Sequence, residues 1–238
     1  MFSIWVCDNG GMMSEKLERR GGVRREAAGR EGGVRAKNRE ATERAILRAA
    51  ERHLAERGAA ALSLRQVARD VGMVPSAIYR YFNGIDELYT ALIVRAFEDQ
   101  SAYVRAAVEG LKTPTTWEER AENIMVLARA VRGWAKANPH FYSLVYGSPV
   151  PGYQAPEATI APAAEVGQIA LGWLERPVAA TSGEIPEPVA AFWAAMYGMI
   201  SFELFGHFVG VLEDVDGFYE RGVRNALAAL RRELDALK

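Results

Sequence analysis

The chain has 238 residues, of which 29 are Lys or Arg and 30 are Asp or Glu, and its formal net charge is −1 at pH 7. This length fits one large domain or two smaller ones, and 50% hydrophobic content excludes a wholly disordered chain. The single cysteine, Cys7, excludes a disulfide framework, so we expect a reducing, cytoplasmic location. The longest apolar stretch, residues 189–202, is too short to span a bilayer, and no membrane partner is expected.

The N-terminal segment is basic and rich in glycine. Residues 14–39 contain nine Lys or Arg against four Asp or Glu, with no apolar period. We therefore expect residues 1–36 to be a disordered arm, which either follows DNA phosphates or serves as a solvated leader. The opening residues lack the basic region of a signal peptide. Met12 and Met13 follow at once, and we expect one of them to be the natural start.

The first predicted helix begins at Asn38. Ile46 and Leu54 lie on its apolar stripe, and Gly58 supplies a left-handed stop. His53 lies on the same stripe with no second ligand at i+4, so a packed core histidine is favoured over a metal ligand. No metal site or cofactor is expected anywhere in the chain.

Two shorter helices follow. Ser63 is predicted to cap the first of them, with Gln66 completing a capping box, and Gly72 ends it. Pro75 opens the second, over residues 76–82. Two short helices around a glycine turn form a helix-turn-helix, whose second helix can enter the major groove of DNA. We expect residues 37–85 to form this DNA-binding domain.

A family resemblance rests on these residues. The run from Ala68 to Phe82, followed by Asp86-Glu87-Leu88, resembles the DNA-binding segment of the tetracycline-repressor (TetR) family of bacterial transcriptional regulators. Two positions depart from that pattern. Val74 replaces the usual capping serine, and Ile85 stands where the family often has a phosphate-contacting lysine.

The DNA-binding domain offers two kinds of candidate contact. We expect one group to position the domain on phosphates and a second to approach base edges, with an arginine reading guanine as the most discriminating contact. Packing is the alternative role for the two tyrosines. The candidate DNA-binding residues are Ser63, Arg65, Tyr79 and Tyr81 toward phosphates, and Pro75, Ser76, Ala77 and Arg80 along the second helix.

The second half of the chain also resembles this family. Residues 140–156 and 193–210 look like a TetR subgroup labelled by a Trp-His-Gly signature. The resemblance implies an all-α fold, with three DNA-binding helices and about six in a regulatory and dimerisation domain over residues 86–238. Charge divides in the same way, because residues 1–95 carry a net +5 and residues 96–238 a net −6. A near-neutral total therefore conceals a basic DNA-binding half.

Two C-terminal helices are predicted to form a homodimer interface. The helix over residues 187–212 is apolar nearly all round, and an apolar seam repeats at spacings of three and four after Gly217. A monomer with an ordinary core is the alternative. Glu203 and His207 could bond each other, pin the dimer or meet a ligand, and a structural role is favoured. The candidate interface residues are Leu204, Gly206, His207, Gly210, Val223, Leu227, Leu230 and Leu234.

The C-terminal domain also predicts a ligand pocket. A helix opened by a capping box at Thr116 and stopped at Pro139 begins a region with more large aromatic and thioether side chains than a small helical core needs. An apolar or aromatic small-molecule effector is therefore expected, with simple core packing as the alternative. The candidate pocket residues are Trp134, Phe141, Tyr142, Tyr146, Trp173, Phe192, Trp193, Met196 and Met199.

The sequence therefore predicts a DNA-binding transcriptional regulator. Repression of a palindromic operator, relieved by the effector, is the commoner behaviour that the resemblance implies. The alternative is a helical ligand-binding or scaffolding homologue without specific DNA binding. No nucleophile elbow, phosphate-binding glycine loop or paired histidine motif supports an enzyme.

Overall fold

The computed structural model describes residues 25–174 and 185–236, with side chains from residue 36 onward. Those residues form eight α-helices, three short 3₁₀ segments and no β-strand, which confirms the all-α class. No helix in the two described ranges is long and apolar enough to cross a bilayer. The helices are α1 (Arg25–Arg57), α2 (Leu64–Asp70), α3 (Ile85–Val108), α4 (Trp117–Ala137), α5 (Pro139–Tyr146), α6 (Ile160–Leu171), α7 (Glu187–Leu204) and α8 (Val215–Ala236).

The described chain divides into two compact units within helix α3. The N-terminal unit extends to Leu92 and the C-terminal unit begins at Ile93. Asp86 and Glu87 lie in the first turn of α3, as predicted, where their charges favour the helix dipole. Helix α3 therefore contributes residues to both units.

Helix α1 begins earlier than predicted. It starts at Arg25 rather than at Asn38, so disorder over residues 25–36 was the wrong prediction, and residues 1–24 of the expected arm lie outside the described residues. Extending an existing helix costs less than nucleating one, and Ala27 and Ala28 favour the extension. The glycines of this segment weaken the helix without ending it.

Helix α4 has the predicted boundaries. The Glu119 amide donates to Thr116 Oγ1 at 3.2 Å, and the Thr116 amide donates back to Glu119 Oε2 at 3.2 Å, completing the capping box. Pro139 then becomes the first residue of α5. The side chain of Glu119 also accepts from Thr115, and these hydrogen bonds hold the pKa of Glu119 below its ordinary value.

Helix α8 packs its apolar stripe inside its own unit, against α4 and α7. Tyr219, Val223, Leu227 and Leu230 are each no more than 2% exposed, and the Tyr219 hydroxyl donates to the Ala128 carbonyl at 2.9 Å. This corrects the predicted interface, because Val223, Leu227 and Leu230 fill the core of one chain. An apolar seam identifies the buried side of a helix without specifying which chain covers it.

Helix α7 ends at Leu204, eight residues before the predicted end at Leu212. The Gly206 amide donates to Glu203 and the His207 amide to the Phe202 carbonyl, which together form a Schellman ending with Gly206 at φ +80°. Gly206, His207 and Gly210 therefore follow the helix in turns. The prediction that the two glycines allow close helix approach was wrong, because positive φ ends the helix here.

Candidate nucleic-acid interface and ligand core

The N-terminal unit forms a small core beneath the helix-turn-helix. Ile46, Ala49 and Ala50 of α1 are fully buried, as are Val67 and Ala68 of α2. Ile78, from the segment after the turn, is also 0% exposed. Close packing of these buried side chains therefore fixes the position of the turn on the core of the unit.

The turn itself is a Schellman motif at the end of α2. The Gly72 amide donates to the Arg69 carbonyl at 3.0 Å and the Met73 amide to Ala68 at 2.8 Å, with Gly72 at φ +71°. Only a residue that tolerates positive φ ends a helix in this way without strain. The predicted glycine turn is therefore confirmed in its position and geometry.

The third predicted helix is shorter than expected. Residues 75–77 form turns, and a 3₁₀ segment covers only Ile78–Arg80, so an α-helix over residues 76–82 was the wrong prediction. The Ala77 amide closes a turn to the Val74 carbonyl at 2.8 Å. A segment this short gains few hydrogen bonds to offset helix nucleation, and the break at residues 83–84 prevents its extension.

The start of α2 also differs from the prediction. Ser63 occupies the N-cap position, but its side chain makes no capping hydrogen bond. Gln66 instead accepts from Arg57 Nη1 at 3.3 Å, so the predicted capping box was wrong. The side chain of Gln66 extends toward the end of α1 rather than back toward Ser63.

His53 has a structural partner. Its Nε2 lies 2.5 Å from Asp70 Oδ2, and the imidazole is 4% exposed. The pair joins α1 to the last residue of α2, which agrees with the predicted core role. Sequence reasoning did not identify Asp70 as the partner of His53. The signal for it was an acidic side chain at the end of α2, one turn after Gln66.

The residues after the turn form an exposed edge. Pro75, Ser76 and Arg80 are exposed, and Tyr79 is 47% exposed. Exposure leaves these four side chains accessible to a partner, and their contact with DNA stays a prediction. Ala77 is different, because it is 8% exposed and packs into the core, so its predicted approach to base edges was wrong.

The remaining candidates flank this edge. Arg65 is exposed on α2, whereas Ser63 and Tyr81 are half-buried. The Arg39 guanidinium lies 5.3 Å from the centre of the Tyr81 ring, a cation–π contact that supports that tyrosine from α1. Val74 is 66% exposed beside Pro75 and was missed as a candidate contact, although an apolar side chain in a turn is itself a signal.

The C-terminal unit contains three interacting tyrosines, Tyr142, Tyr146 and Tyr197, named here the tyrosine cluster. The Tyr142 hydroxyl lies 2.8 Å from Ser201 Oγ and donates to the Tyr197 carbonyl at 3.0 Å. The Tyr146 hydroxyl lies 3.0 Å from both Gln100 Oε1 and Tyr197 Oη. Burial raises the pKa of Tyr142 to about 12 and raises the pKa of Tyr146 and Tyr197 as well, so all three hydroxyls stay protonated near neutral pH.

Only some predicted pocket residues lie around this cluster. Trp193 is 5.7 Å from Tyr197 between ring centres, but Trp134 is fully buried and donates to Asp99 at 2.8 Å. Met199 instead packs over Gly222 of α8. The other candidates are Phe141, Phe192 and Met196, which are buried, and Trp173, which is half-buried.

A separate groove lies between α4 and α8, with a volume of about 370 Å³. Trp117, Met125 and Leu227 line it with apolar surface, and Arg224 and Arg231 stand among its polar residues. None of the nine predicted pocket residues lines this groove. Sequence reasoning missed it because its two walls are about 100 residues apart in the chain.

Glu203 belongs to an ion cluster rather than to a pair with His207. Arg132 donates to both Glu203 oxygens, at 2.6 and 2.7 Å, and to Asp216 at 2.6 Å, while Lys136 lies 3.0 Å from Glu203. Burial raises the pKa of Glu203, but hydrogen bonds from the two cations outweigh it and hold the pKa below its ordinary value. This geometry fits the structural role favoured for Glu203.

Two regions of the chain match known family profiles. Residues 46–92 match "Bacterial regulatory proteins, tetR family", and residues 124–226 match "Tetracyclin repressor-like, C-terminal domain". The HTH-type transcriptional regulators Rv1816 of Mycobacterium tuberculosis and Mb1846 of Mycobacterium bovis are each 34% identical to the chain over 222 residues, an alignment that covers 81% of this chain and 93% of each relative. The chain belongs to the TetR family of bacterial regulatory proteins. Its helix-turn-helix unit is therefore the DNA-binding unit of a transcriptional regulator.

Solved structures share the fold of this TetR-family chain. The regulatory protein SCO4313 is 31% identical, with a TM-score of 0.65 and coverage of 81% of this chain and 98% of its own. A TetR-family regulator from Marinobacter aquaeolei VT8 is 18% identical, with a TM-score of 0.60 and coverage of 82% and 97%. The second likeness supports the fold alone.

Proposed function

We propose that this TetR-family regulator is a sequence-specific repressor that works in the cytoplasm by binding rather than by catalysis. It binds a palindromic operator as a homodimer, and an aromatic effector releases it. The observation that carries the DNA-binding half of this proposal is the exposed edge of Ser76, Tyr79 and Arg80, held on the buried Ile78 directly after the turn. Residues 140–156 and 193–210 further support placing the C-terminal unit in the Trp-His-Gly subgroup.

The side chains of the exposed edge and its neighbours have two roles in DNA recognition, contact with base edges and contact with phosphates. Arg80 carries the donors that recognise guanine in the major groove, a contact worth about 1–3 kcal/mol when both are used. Arg65 and Tyr79 suit phosphate oxygens, which position the domain without reading sequence. Val74 offers an apolar surface that fits a thymine methyl group.

A homodimer would give this short recognition segment a longer footprint. Half-sites one helical turn apart require two recognition segments about 34–36 Å apart. The surface proposed to contact the second copy lies around the end of α7. Four large apolar side chains there are 45–83% exposed: Phe202, Phe205, Val209 and Val211. Of the predicted interface residues, Leu204 and Leu234 are half-buried and Gly206, His207 and Gly210 are exposed, so these five remain proposed contacts.

The DNA-binding proposal is tested by fluorescence anisotropy on duplexes from the DNA beside the coding region. Arg80→Ala is expected to cost tenfold or more on the preferred site and to flatten base preference, since about 1.4 kcal/mol is a factor of ten. Arg65→Ala is expected to weaken all sequences alike and reduce the salt dependence by about one counterion. Arg232→Ala removes the same charge from an exposed position on α8 and serves as the control.

Two outcomes would count against this proposal. Equal losses on all sequences for Arg80→Ala would remove its base-reading role. Binding of the wild type that ignores sequence would instead favour the ligand-binding or scaffolding homologue. The departures of Val74 and Ile85 from the family pattern are the sequence features on which that alternative rests.

Release by an effector would follow from a population shift. An effector that prefers a shape unable to span both half-sites lowers operator affinity by the factor by which DNA lowers effector affinity. Anisotropy with and without effector measures that factor directly. Unchanged operator affinity at saturating effector would refute the inducible-repressor part of the proposal and leave DNA binding intact.

A further inference from the structure

Two neighbouring polar side chains on α3 are buried in the C-terminal unit. Gln100 is 1% exposed and Ser101 is 0% exposed. Among the residues that the structure describes, Gln100 Nε2 and Ser101 Oγ have no hydrogen-bond partner. Buried polar atoms are rarely left in this state because each loses its bonds to water on folding, so such a pair needs a physical explanation.

The Gln100 side chain adjoins the tyrosine cluster. Gln100 Oε1 lies 3.0 Å from the Tyr146 hydroxyl, and the Tyr146 and Tyr197 ring centres are 4.4 Å apart. Phe97, one turn before Gln100 on α3, meets Tyr146 edge to face at 6.1 Å. The unused Gln100 Nε2 therefore belongs to a side chain at the edge of a continuous aromatic surface.

We propose that Gln100 is the hydrogen-bonding end of the effector site, and that this site takes an uncharged aromatic molecule carrying a carbonyl group. The inference rests on the effector part of the proposed function. The Gln100 amide offers N–H donors that a carbonyl oxygen accepts. The aromatic part of the ligand stacks with the rings of Tyr146 and Tyr197.

The absence of charge on the ligand follows from its partners. The hydroxyls of the tyrosine cluster and the Gln100 amide are all neutral donors or acceptors near neutral pH. A carboxylate or ammonium moved into this surrounding would lose its hydration without gaining an opposite charge. A ketone, amide or quinone carbonyl meets no such penalty.

A matched pair of probes tests this assignment. 2-Acetylnaphthalene and 2-ethylnaphthalene have nearly the same shape and differ in the carbonyl oxygen. Binding to the full chain without DNA is followed by quenching of the fluorescence of its five tryptophans, among which Trp193 lies 5.7 Å from Tyr197. We expect the ketone to bind about tenfold more tightly than the hydrocarbon, because only the ketone satisfies the buried donors.

Variants identify the residues responsible. Gln100→Leu keeps the approximate volume and removes the amide, so the two probes are expected to bind with about equal affinity. Gln154→Leu makes the same change at an exposed position and should keep the full preference. Gln100→Leu removes the unpartnered Nε2 together with the Oε1 acceptor of the Tyr146 hydroxyl, which keeps Tyr197 Oη as a partner. The unfolding temperature is therefore measured beside the affinities, and a cooperative transition near that of the wild type shows that the variant is folded.

Three results would overturn the assignment. They are equal affinity for the two probes, a ketone preference that survives Gln100→Leu, and no binding of either probe at millimolar concentration. Because the assay contains no DNA, each result concerns the ligand site alone. Failure of the DNA-binding proposal would appear separately, in the anisotropy measurements on the wild-type chain.

Discussion

Replacing Arg132 with methionine tests how much the ion cluster that joins α4, α7 and α8 contributes to the stability of the C-terminal unit. The change keeps an unbranched side chain on α4 but removes two hydrogen bonds to Glu203, one to Asp216 and a cation 4.9 Å from the centre of the Tyr219 ring. The Arg132 and Glu203 side chains are only 12% and 14% exposed. In this variant the Glu203 carboxylate stays largely buried but has lost the guanidinium that offsets the cost of burying its charge.

The expected cost lies between two limits. Breaking a fully buried ion pair costs about 3–5 kcal/mol, whereas an exposed pair contributes about 0.2–1 kcal/mol. Lys136 still lies 3.0 Å from Glu203, and Asp216 is 81% exposed and adds little. We therefore expect a loss of about 2–3 kcal/mol, which corresponds to a fall of about 5–10 °C in unfolding temperature for a chain of this size.

Arg129→Met is the matched control for this prediction. Arg129 also lies on α4 and donates to both oxygens of one carboxylate, that of Glu220, at 2.6 and 2.7 Å. These side chains are 44% and 28% exposed, so the expected loss is below about 1 kcal/mol. Urea unfolding is followed by circular dichroism and tryptophan fluorescence at one fixed protein concentration. Equal losses for the two variants would refute the reasoning, because the Arg132 pair is the more buried of the two and Arg132 also contacts Asp216 and Tyr219.

Three further predictions concern pH, a helix cap and the N-terminal core. Burial raises the pKa of Glu203, but hydrogen bonds from cations including Arg132 hold that pKa below the ordinary value of 4.5. The ionised Glu203 therefore stabilises the fold above about pH 4.5, and this stabilisation is lost as the pH falls through the lower pKa of the folded state. Unfolding temperatures at pH 7 and pH 3 should therefore differ less in the Arg132→Met variant. Thr116→Ala should cost about 1 kcal/mol in urea unfolding, and Thr116→Ser should restore most of it. Ile78→Ala should destabilise the N-terminal unit by about 2–4 kcal/mol in hydrogen exchange, whereas Val74→Ala at an exposed site should change stability by less than about 0.5 kcal/mol.

Helix boundaries with local chemical signals were predictable from the sequence. The start of α4 at Thr116 and its stop before Pro139 depend on groups within four residues of the boundary. The glycine turn at Gly72 is equally local. Local signals failed where a competing partner was more distant in sequence, as at Ser63, whose expected capping partner Gln66 bonds Arg57 instead.

The direction in which a side chain faces was harder to predict. Val223, Leu227 and Leu230 have the spacing of a packed helix pair, and that spacing is the same whether the partner is α4 and α7 of one chain or a second chain. Ala77 is a second example of a side chain whose direction the sequence did not reveal. Its position in the recognition segment suggested contact with DNA bases, whereas the side chain packs into the core. Burial depends on tertiary packing, which a linear pattern does not contain.

Contacts between distant residues were missed for a related reason. Gln100 and Tyr146 are 46 residues apart, and Arg132 and Glu203 are 71 apart. No periodicity links such positions, since each depends on how two helices cross. The aromatic excess of the C-terminal unit suggested Tyr142, Tyr146 and Trp193, whose role in a ligand site stays a prediction, but it did not identify Tyr197, whose ring contacts all three.

The course of α3 limits how an effector could act. Leu88 and Leu92 are fully buried in the N-terminal unit, while Gln100 and Ser101 lie farther along the same uninterrupted helix of 24 residues, about 36 Å long. A ligand that bonds Gln100 without favouring a different position of α3 would bind tightly and leave operator affinity unchanged. Ligand binding and operator release are therefore separable properties. The Gln100→Leu variant should bind the operator like the wild type and lose only its response to a carbonyl ligand, whereas a weakened operator complex would show that Gln100 supports the DNA-binding unit itself.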